Sequence, residues 1–185
     1  PDHGPRTPDP GPRTTDPGPR TTDLGPRTPG PPAWYYEQTD LGYNYRITEL
    51  QAALGYSQLQ RLDEFVARRH ELATRYDYML ADLPLTTPFQ HQDAYSALHL
   101  YPIRLQLNKL PISRREVFDK LREQGIGVNV HYIPVHTQPY YRDLGFETGR
   151  FPEAERYYQE AITLPLFPAM TEEEQDRVVA ALEAV

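Results

Sequence analysis

Apolar residues recur at helical spacing along one long stretch of the chain. Between Thr48 and Leu80 they fall mostly three to five positions apart, at Leu50, Ala53, Leu54, Leu59, Leu62, Phe65 and Val66. This spacing predicts one helix over residues 48–80, because positions three and four apart lie on the same face of a helix. Gly55 lies inside that stretch and costs about 1 kcal/mol relative to alanine in a helix interior, so it indicates a bend or a close contact.

Three predicted helices begin with the same capping pattern. A Ser or Thr is followed three positions later by Glu or Gln in the pairs Thr48/Gln51, Ser113/Glu116 and Thr171/Glu174. In such a capping box the hydroxyl accepts from an early backbone N–H, and the later side chain accepts from the N-cap backbone. The pattern predicts a second helix from Arg114 to about Gln124 and a last helix from Glu172 to about Ala184. Gly125 suits the position that follows the second helix.

Two further stretches alternate with the period of a strand. Residues 98–105 read LHLYPIRL, where Pro102 favours an edge strand or a bulge. Residues 127–132 read GVNVHY and predict a strand with Val128, Val130 and Tyr132 on one face and Asn129 and His131 on the other.

A short helix near 153–161 and a short strand near 162–164 complete the pattern. The resulting alternation of helices and strands indicates an α/β fold, or an α+β layer.

The first 32 residues differ from the rest in kind. The unit Gly-Pro-Arg-Thr recurs from Gly4, Gly11, Gly18 and Gly25, and Leu24 is the only large aliphatic residue there. Such a segment cannot bury enough apolar surface to offset its ordering entropy. We therefore expect a disordered low-complexity tail over residues 1–32 and a folded domain over residues 33–185.

Composition excludes several classes of protein. The formal net charge is −7, which argues against nucleic-acid binding because phosphate neutralisation needs clustered Lys and Arg. The chain has no cysteine, which excludes disulfides and a thiol nucleophile. No apolar run is long enough for a membrane helix and no secretory signal is visible, so we expect a cytoplasmic protein without membrane contact. The spacing of His131 and His136 differs from that of helical zinc ligands, and no metal site is expected.

Two long stretches carry a family resemblance. Residues 34–65, WYYEQTDLGYNYRITELQAALGYSQLQRLDEF, resemble the DegT/DnrJ/EryC1/StrS sugar aminotransferases, and residues 125–146 and 151–174 resemble the small domain of the same family. The resemblance implies the C-terminal portion of a fold-type-I transferase that depends on pyridoxal 5'-phosphate (PLP). It is closest to the members that make pseudaminic acid-type sugars, which implies transfer of an amino group from glutamate to C4 of a UDP-linked 4-keto-6-deoxy amino sugar.

The resemblance also implies a cofactor contact made across a homodimer. Asn44 occupies the position of the family's asparagine that binds the PLP phosphate of the neighbouring subunit. Arg46 could add a charge-assisted contact to a phosphate. Read without the resemblance, Asn44 is a residue of a turn.

The family's contacts to the sugar nucleotide fall on a second group of residues. They correspond to Asn129, Val130, His131, Tyr132 and Tyr141. The residues themselves allow this in part, since an amide and an imidazole on one strand face can donate to hydroxyl or phosphate oxygens. The alternative is that His131 is a hydrogen-bonded structural histidine and that the tyrosines belong to the core.

No lysine of this sequence matches the lysine that holds PLP as a Schiff base in the family. The two lysines are Lys109, before Pro111, and Lys120, on the second predicted helix, and neither lies in a matching motif. We therefore expect this chain alone to be inactive as a transaminase. The alternative function is a non-catalytic remnant that acts at most as a dimerisation or interaction module.

Overall fold

The structure is a computed structural model that describes residues 30, 32, 34–37, 39 and 47–185. The repeat, Asn44 and Arg46 lie outside the described residues, so the expectations for them stay predictions. Within this part of the chain, no helix is both long enough and apolar enough to cross a membrane.

A small antiparallel sheet organises the fold. Its strands are β1 (Leu85–Thr86), β2 (Tyr101–Leu105) and β3 (Ala161–Leu164), in the order β1-β2-β3. All four residues of β3 are buried, as expected for a strand covered on both faces. The strands predicted near 98–105 and 162–164 are confirmed. The first begins later than predicted, at Tyr101, and the second begins one residue earlier, at Ala161.

Pro102 lies on the central strand, so the prediction of an edge strand or a bulge is wrong. Pro102 pairs with Thr163 of β3, but Thr163 directs both its N–H and its C=O to Asn129 on its other side. Pro102 therefore occupies a position of β2 that exchanges no ladder bonds with β3. On the opposite side, β1 reaches only Leu105 and Arg104. The missing N–H of proline consequently interrupts no ladder, which is why this strand tolerates it.

The described residues form six helices. They are α1 (Glu49–Leu59), α2 (Leu62–Met79), α3 (Arg114–Glu123), α4 (Pro139–Asp143), α5 (Pro152–Glu160) and α6 (Glu172–Glu183). Short 3-10 turns lie at Leu107–Lys109 and Val135–Thr137. The three capping boxes are all present, with both reciprocal hydrogen bonds, so the predicted starts of α1, α3 and α6 are confirmed.

The single long helix predicted over 48–80 is wrong in one respect. The helix is interrupted at Gln60 and Arg61, whereas Gly55 lies within α1, where a Cβ added to it would meet no other side chain of the described residues within 4 Å. The two parts differ in burial: α1 buries none of its residues, whereas α2 buries Val66, Leu72, Ala73 and Tyr76.

The apolar residues of α1 are distributed around the helix. Leu50 and Leu59 are nine positions apart, about two and a half turns, and so lie on opposite sides. The single apolar face expected along residues 48–80 is therefore present in α2 but not in α1.

The core forms where α2, α3 and α6 pack around the strands. Its fully buried members include Tyr76, Phe118, Leu121, Ile103 and Ile162. Burial of this kind is the main favourable contribution to folding.

One polar side chain is also fully buried in the core. Gln175 of α6 donates through Nε2 to the Leu72 carbonyl at 2.7 Å and accepts through Oε1 from Arg75 at 3.1 Å. It connects α6 with α2 and has its polar atoms satisfied, as a buried amide requires.

Gly125, the glycine that directly follows α3, is expected to resist replacement. It has φ +77°, in the left-handed region, and follows the C-cap residue Gln124. Gly125→Ala is expected to destabilise the protein by about 1–2 kcal/mol, the cost of that conformation for an L-residue. Gly127→Ala is the matched control, because no atom lies within 4 Å of an added Cβ and its φ is unstrained. Urea unfolding of the two variants checks this, and equal stabilities would contradict it.

Candidate functional site

A polar edge lies beside strand β3, formed by Asn129 and His131. Asn129 pairs with Thr163 in an isolated bridge through two backbone hydrogen bonds of 3.2 and 2.7 Å. The predicted strand over 127–132 is reduced to this one bridge, because the chain leaves the sheet after Val130. The alternation is present as far as Val130: Val128 and Val130 are buried and Asn129 is exposed.

The Asn129 side chain has a defined orientation. Its Oδ1 accepts from the backbone N–H of Val130 at 2.8 Å, which leaves Nδ2 facing His131 Nε2 at 3.4 Å. An amide nitrogen can only donate, so Nε2 of His131 accepts and the ring is neutral with its proton on Nδ1. Nδ1 then donates to the Thr163 hydroxyl at 2.9 Å. The Asn129 amide N–H therefore makes only a long hydrogen bond within the polar edge, and it could instead donate to an oxygen atom of a ligand.

Tyr132 is not buried with Val128 and Val130, the two residues predicted to share its strand face. Its side chain is 58% exposed, so the strand alternation predicted over residues 127–132 does not extend to Tyr132. The physical reason is that residue 132 is no longer paired in the sheet, so the two-residue period does not apply to it. Its ring meets the His131 ring edge to face, with centroids 4.6 Å apart. Tyr132 thereby joins the polar edge, and the peptide bond between the two residues is cis.

The neutral form of His131 is favoured by its surroundings. Partial burial, followed by the nearby His99, lowers the pKa of His131 below its ordinary value of 6.5. Both causes act in the same direction, because a buried charge loses hydration and a like charge repels it. Near neutral pH the imidazole of His131 is therefore uncharged, with Nε2 as an acceptor and Nδ1–H as a donor.

Removing His99 tests this account. His99→Ala is expected to raise the pKa of His131 towards 6.5, since one of its two causes disappears. The pH dependence of the His131 ring proton shifts in NMR measures the effect. His91→Ala, which removes an exposed histidine elsewhere, is the control. A pKa of His131 that does not rise in His99→Ala would contradict the contribution of His99.

Tyr141 lies downstream, on the short helix α4. The chain turns at Pro134, forms the 3-10 turn at Val135–Thr137 and continues directly into α4. Tyr141 is half-buried and its ring packs edge to face on Tyr140, with centroids 5.3 Å apart, and on Phe146 at 6.1 Å.

Thr163 and His99 belong to this neighbourhood, and sequence reasoning missed both. Thr163 is a buried strand residue in a run of apolar neighbours and contacts His131 across 32 positions. No local pattern signals such a contact, since only the strand pairing creates it.

The chain belongs to the DegT/DnrJ/EryC1/StrS aminotransferase family, whose sequence pattern matches residues 27–183. Members of this family are PLP-dependent. The family resemblance of the sequence is thereby confirmed, together with the α/β fold that it implies.

Individual relatives agree with the family match. The chain is 40% identical over 156 residues to the spore coat polysaccharide biosynthesis protein SpsC of Bacillus subtilis, covering 83% of this chain and 40% of SpsC. Among solved structures it resembles Helicobacter pylori PseC, an aminotransferase involved in the biosynthesis of pseudoaminic acid, with TM-score 0.68, 30% identity and coverage of 80% of this chain and 40% of PseC. The aminotransferase TlmJ of Streptoalloteichus hindustanus gives TM-score 0.66 at 29% identity, over 82% of this chain and 40% of TlmJ. The chain thus spans about two fifths of the length of these relatives.

The described residues do not fit the covalent part of a PLP site. A lysine that forms a Schiff base works from a desolvated pocket that lowers its pKa. Lys109, at the end of a 3-10 turn, and Lys120, on α3, are both exposed. The described residues do include the side chains of Asn129 and His131 at the polar edge, which can form hydrogen bonds to oxygen atoms of a ligand.

Proposed function

We propose that residues 33–185 are the small-domain portion of a PLP-dependent sugar aminotransferase. The whole enzyme transfers an amino group from glutamate to C4 of a UDP-linked 4-keto-6-deoxy amino sugar and works as a homodimer. Within it, Asn44 would contact the cofactor phosphate of the neighbouring subunit. The main support is membership of the family over residues 27–183. A polar edge with an exposed Asn129 is also formed by residues to which the sequence resemblance assigns sugar-nucleotide contacts.

In this proposal the polar edge binds and orients the sugar nucleotide. The Asn129 amide donates to a hydroxyl or phosphate oxygen, and His131 Nε2 accepts from a hydroxyl or, once protonated, donates to phosphate. Val130 supplies backbone contacts, while Tyr132 and Tyr141 cover an apolar face of the ligand. The described chain does not transfer the amino group by itself, because both its lysines are exposed.

Pseudaminic acid-type synthesis is the finer form of the proposal. The similarity to PseC favours it, since that protein acts in such a pathway. A test at this level supplies the complete gene product with PLP, glutamate and the UDP-linked keto sugar. Formation of the amino sugar supports the proposal, and no product from an intact homodimer would count against it.

Binding of UDP to the chain tests the role of the polar edge directly. We expect UDP to shift the NMR signals of Asn129, His131 and Tyr132. Asn129→Ala should weaken UDP binding by at least about tenfold, because a hydrogen bond to a charged group contributes about 1.5–3 kcal/mol. Asn108→Ala, which removes another exposed asparagine, in the 3-10 turn at Leu107–Lys109, is the matched control. Equal losses in both variants would contradict the assignment.

The second candidate function is an interaction module. The observation that favours it is α1, an exposed helix with apolar residues on opposite sides; Leu50 is 82% exposed. A helix that is apolar all round is normally enclosed by other elements. Sedimentation of the chain with and without Leu54→Glu discriminates the two functions: self-association that this change abolishes, without UDP binding, favours the module.

A further inference from the structure

A single carboxylate oxygen on α5 holds two points of the chain that are far apart in sequence. Glu155 Oε1 accepts from His136 Nε2 at 2.8 Å and from the backbone N–H of Gly149 at 2.7 Å. The side chains of His136 and Glu155 are only 7% and 15% exposed. Because an ionised carboxylate can only accept, His136 must carry its proton on Nε2, and both bonds are charge-assisted.

Two further observations indicate a built contact. The His136 hydrogen bond, followed by that of the Gly149 amide, lowers the pKa of Glu155 below its ordinary value. The Phe151 ring packs edge to face on the imidazole of His136, with centroids 4.9 Å apart. His136 thus contacts an aromatic ring and a carboxylate, both near the start of α5.

The segment between the two anchors, residues 136–149, carries α4 and Tyr141. Within it, the Phe146 N–H donates to the Tyr141 carbonyl at 3.1 Å and the two rings pack against each other. From Arg142 to Gly149, every residue except Phe146 is exposed. The segment therefore has internal contacts of its own but little buried surface along its second half, so its placement depends on how its ends are held.

We propose that Glu155 is a positioning residue that clamps both ends of segment 136–149 to α5 and thereby fixes the place of Tyr141. The inference rests on the proposed role of Tyr141 in covering the sugar nucleotide. His136 holds the segment where it leaves the polar edge, and Gly149 holds it where it returns to α5. Without the carboxylate, both ends lose their acceptor at once, and the segment gains conformational freedom.

Hydrogen exchange and NMR of the chain test the clamp without any ligand. In Glu155→Ala, the Gly149 amide is expected to exchange at least about tenfold faster, because its acceptor is gone. The ring signals of Tyr141, assigned with Tyr141→Phe, should shift or broaden. Glu155→Gln should stay close to the parent chain, because the amide oxygen can still accept from both donors. Glu153→Ala is the matched control, since Glu153 lies on the same helix and pairs with the exposed Arg156 of that helix.

Unchanged exchange at Gly149 in Glu155→Ala would overturn the clamp, and unchanged Tyr141 signals would overturn its positioning role. If Glu155→Ala does not fold, as circular dichroism would show, His136→Phe takes its place. It keeps a ring beside Phe151 but has no donor for Glu155, so it should free the first anchor alone. UDP titration then separates the two proposals. A parent chain that binds no UDP, while Gly149 and Tyr141 respond as expected, contradicts the proposed function and supports the clamp. Weaker UDP binding in Glu155→Ala, restored in Glu155→Gln, supports both.

Discussion

Replacing Trp34 with alanine is expected to lower the free energy of unfolding by about 3–5 kcal/mol, the range for large aromatic residues in cores. The Trp34 ring packs edge to face on Phe118 at 4.4 Å and donates through Nε1 to the Tyr158 hydroxyl at 3.2 Å. The Arg114 guanidinium lies over the Trp34 ring and over the Tyr158 ring, 4.4 and 4.8 Å from their centroids. Truncation would remove the packing, the hydrogen bond and one face of this cation–π arrangement together.

Two variants make this result specific. Trp34→Phe retains an aromatic ring against Phe118 but loses the hydrogen bond, so we expect a smaller loss of about 1–2 kcal/mol. Tyr35→Ala, at the neighbouring exposed position, should change stability by less than about 0.5 kcal/mol. Denaturant unfolding followed by far-UV circular dichroism measures all three. A loss of stability in Trp34→Ala as small as that in Tyr35→Ala would mean that Trp34 does not pack on α3.

Gln175→Ala is expected to have the second largest effect, about 2–4 kcal/mol. The substitution opens a cavity at a fully buried position and leaves the Leu72 carbonyl without its donor, and both terms are unfavourable. Gln175→Leu restores most of the volume and isolates the cost of the unpaired carbonyl, which we expect to be about 1–3 kcal/mol.

The neighbouring ion pair provides the control. Arg75 also contacts Asp176 at 2.6 Å, and the Asp176 side chain is about half exposed. Asp176→Asn should therefore cost no more than about 1 kcal/mol, as exposed ion pairs contribute little. Thermal unfolding in the same buffer compares the variants. An Asp176→Asn loss as large as that of Gln175→Ala would place the main connection between α2 and α6 at the surface.

The sequence predicted the elements whose signals are local. The three capping boxes, the glycine after α3 and the alternation through Val128 and Val130 each depend on residues within a few positions. These are the features for which backbone hydrogen bonding and side-chain period decide the structure without help from distant residues.

The errors concern features that only tertiary contacts decide. The strand predicted after Gly127 is short because β3 pairs with this stretch at Asn129 alone. The strand alternation therefore does not reach Tyr132, which is exposed. Pro102 is tolerated on a central strand because of how Thr163 directs its bonds. The Glu155 contacts to His136 and Gly149 could not be predicted, because they span 19 and six positions through a turn of irregular geometry.

Helix α1 has a thermodynamic consequence for the isolated chain. Its 11 residues bury nothing among the described residues and are stabilised mainly by their own hydrogen bonds and the Thr48 capping box. Isolated helices shorter than about 12–15 residues are marginal in water. In the isolated chain, α1 should therefore be helical for only part of the time. A partner that covers α1 would gain binding free energy from apolar contacts, but part of that gain would be lost in ordering the helix.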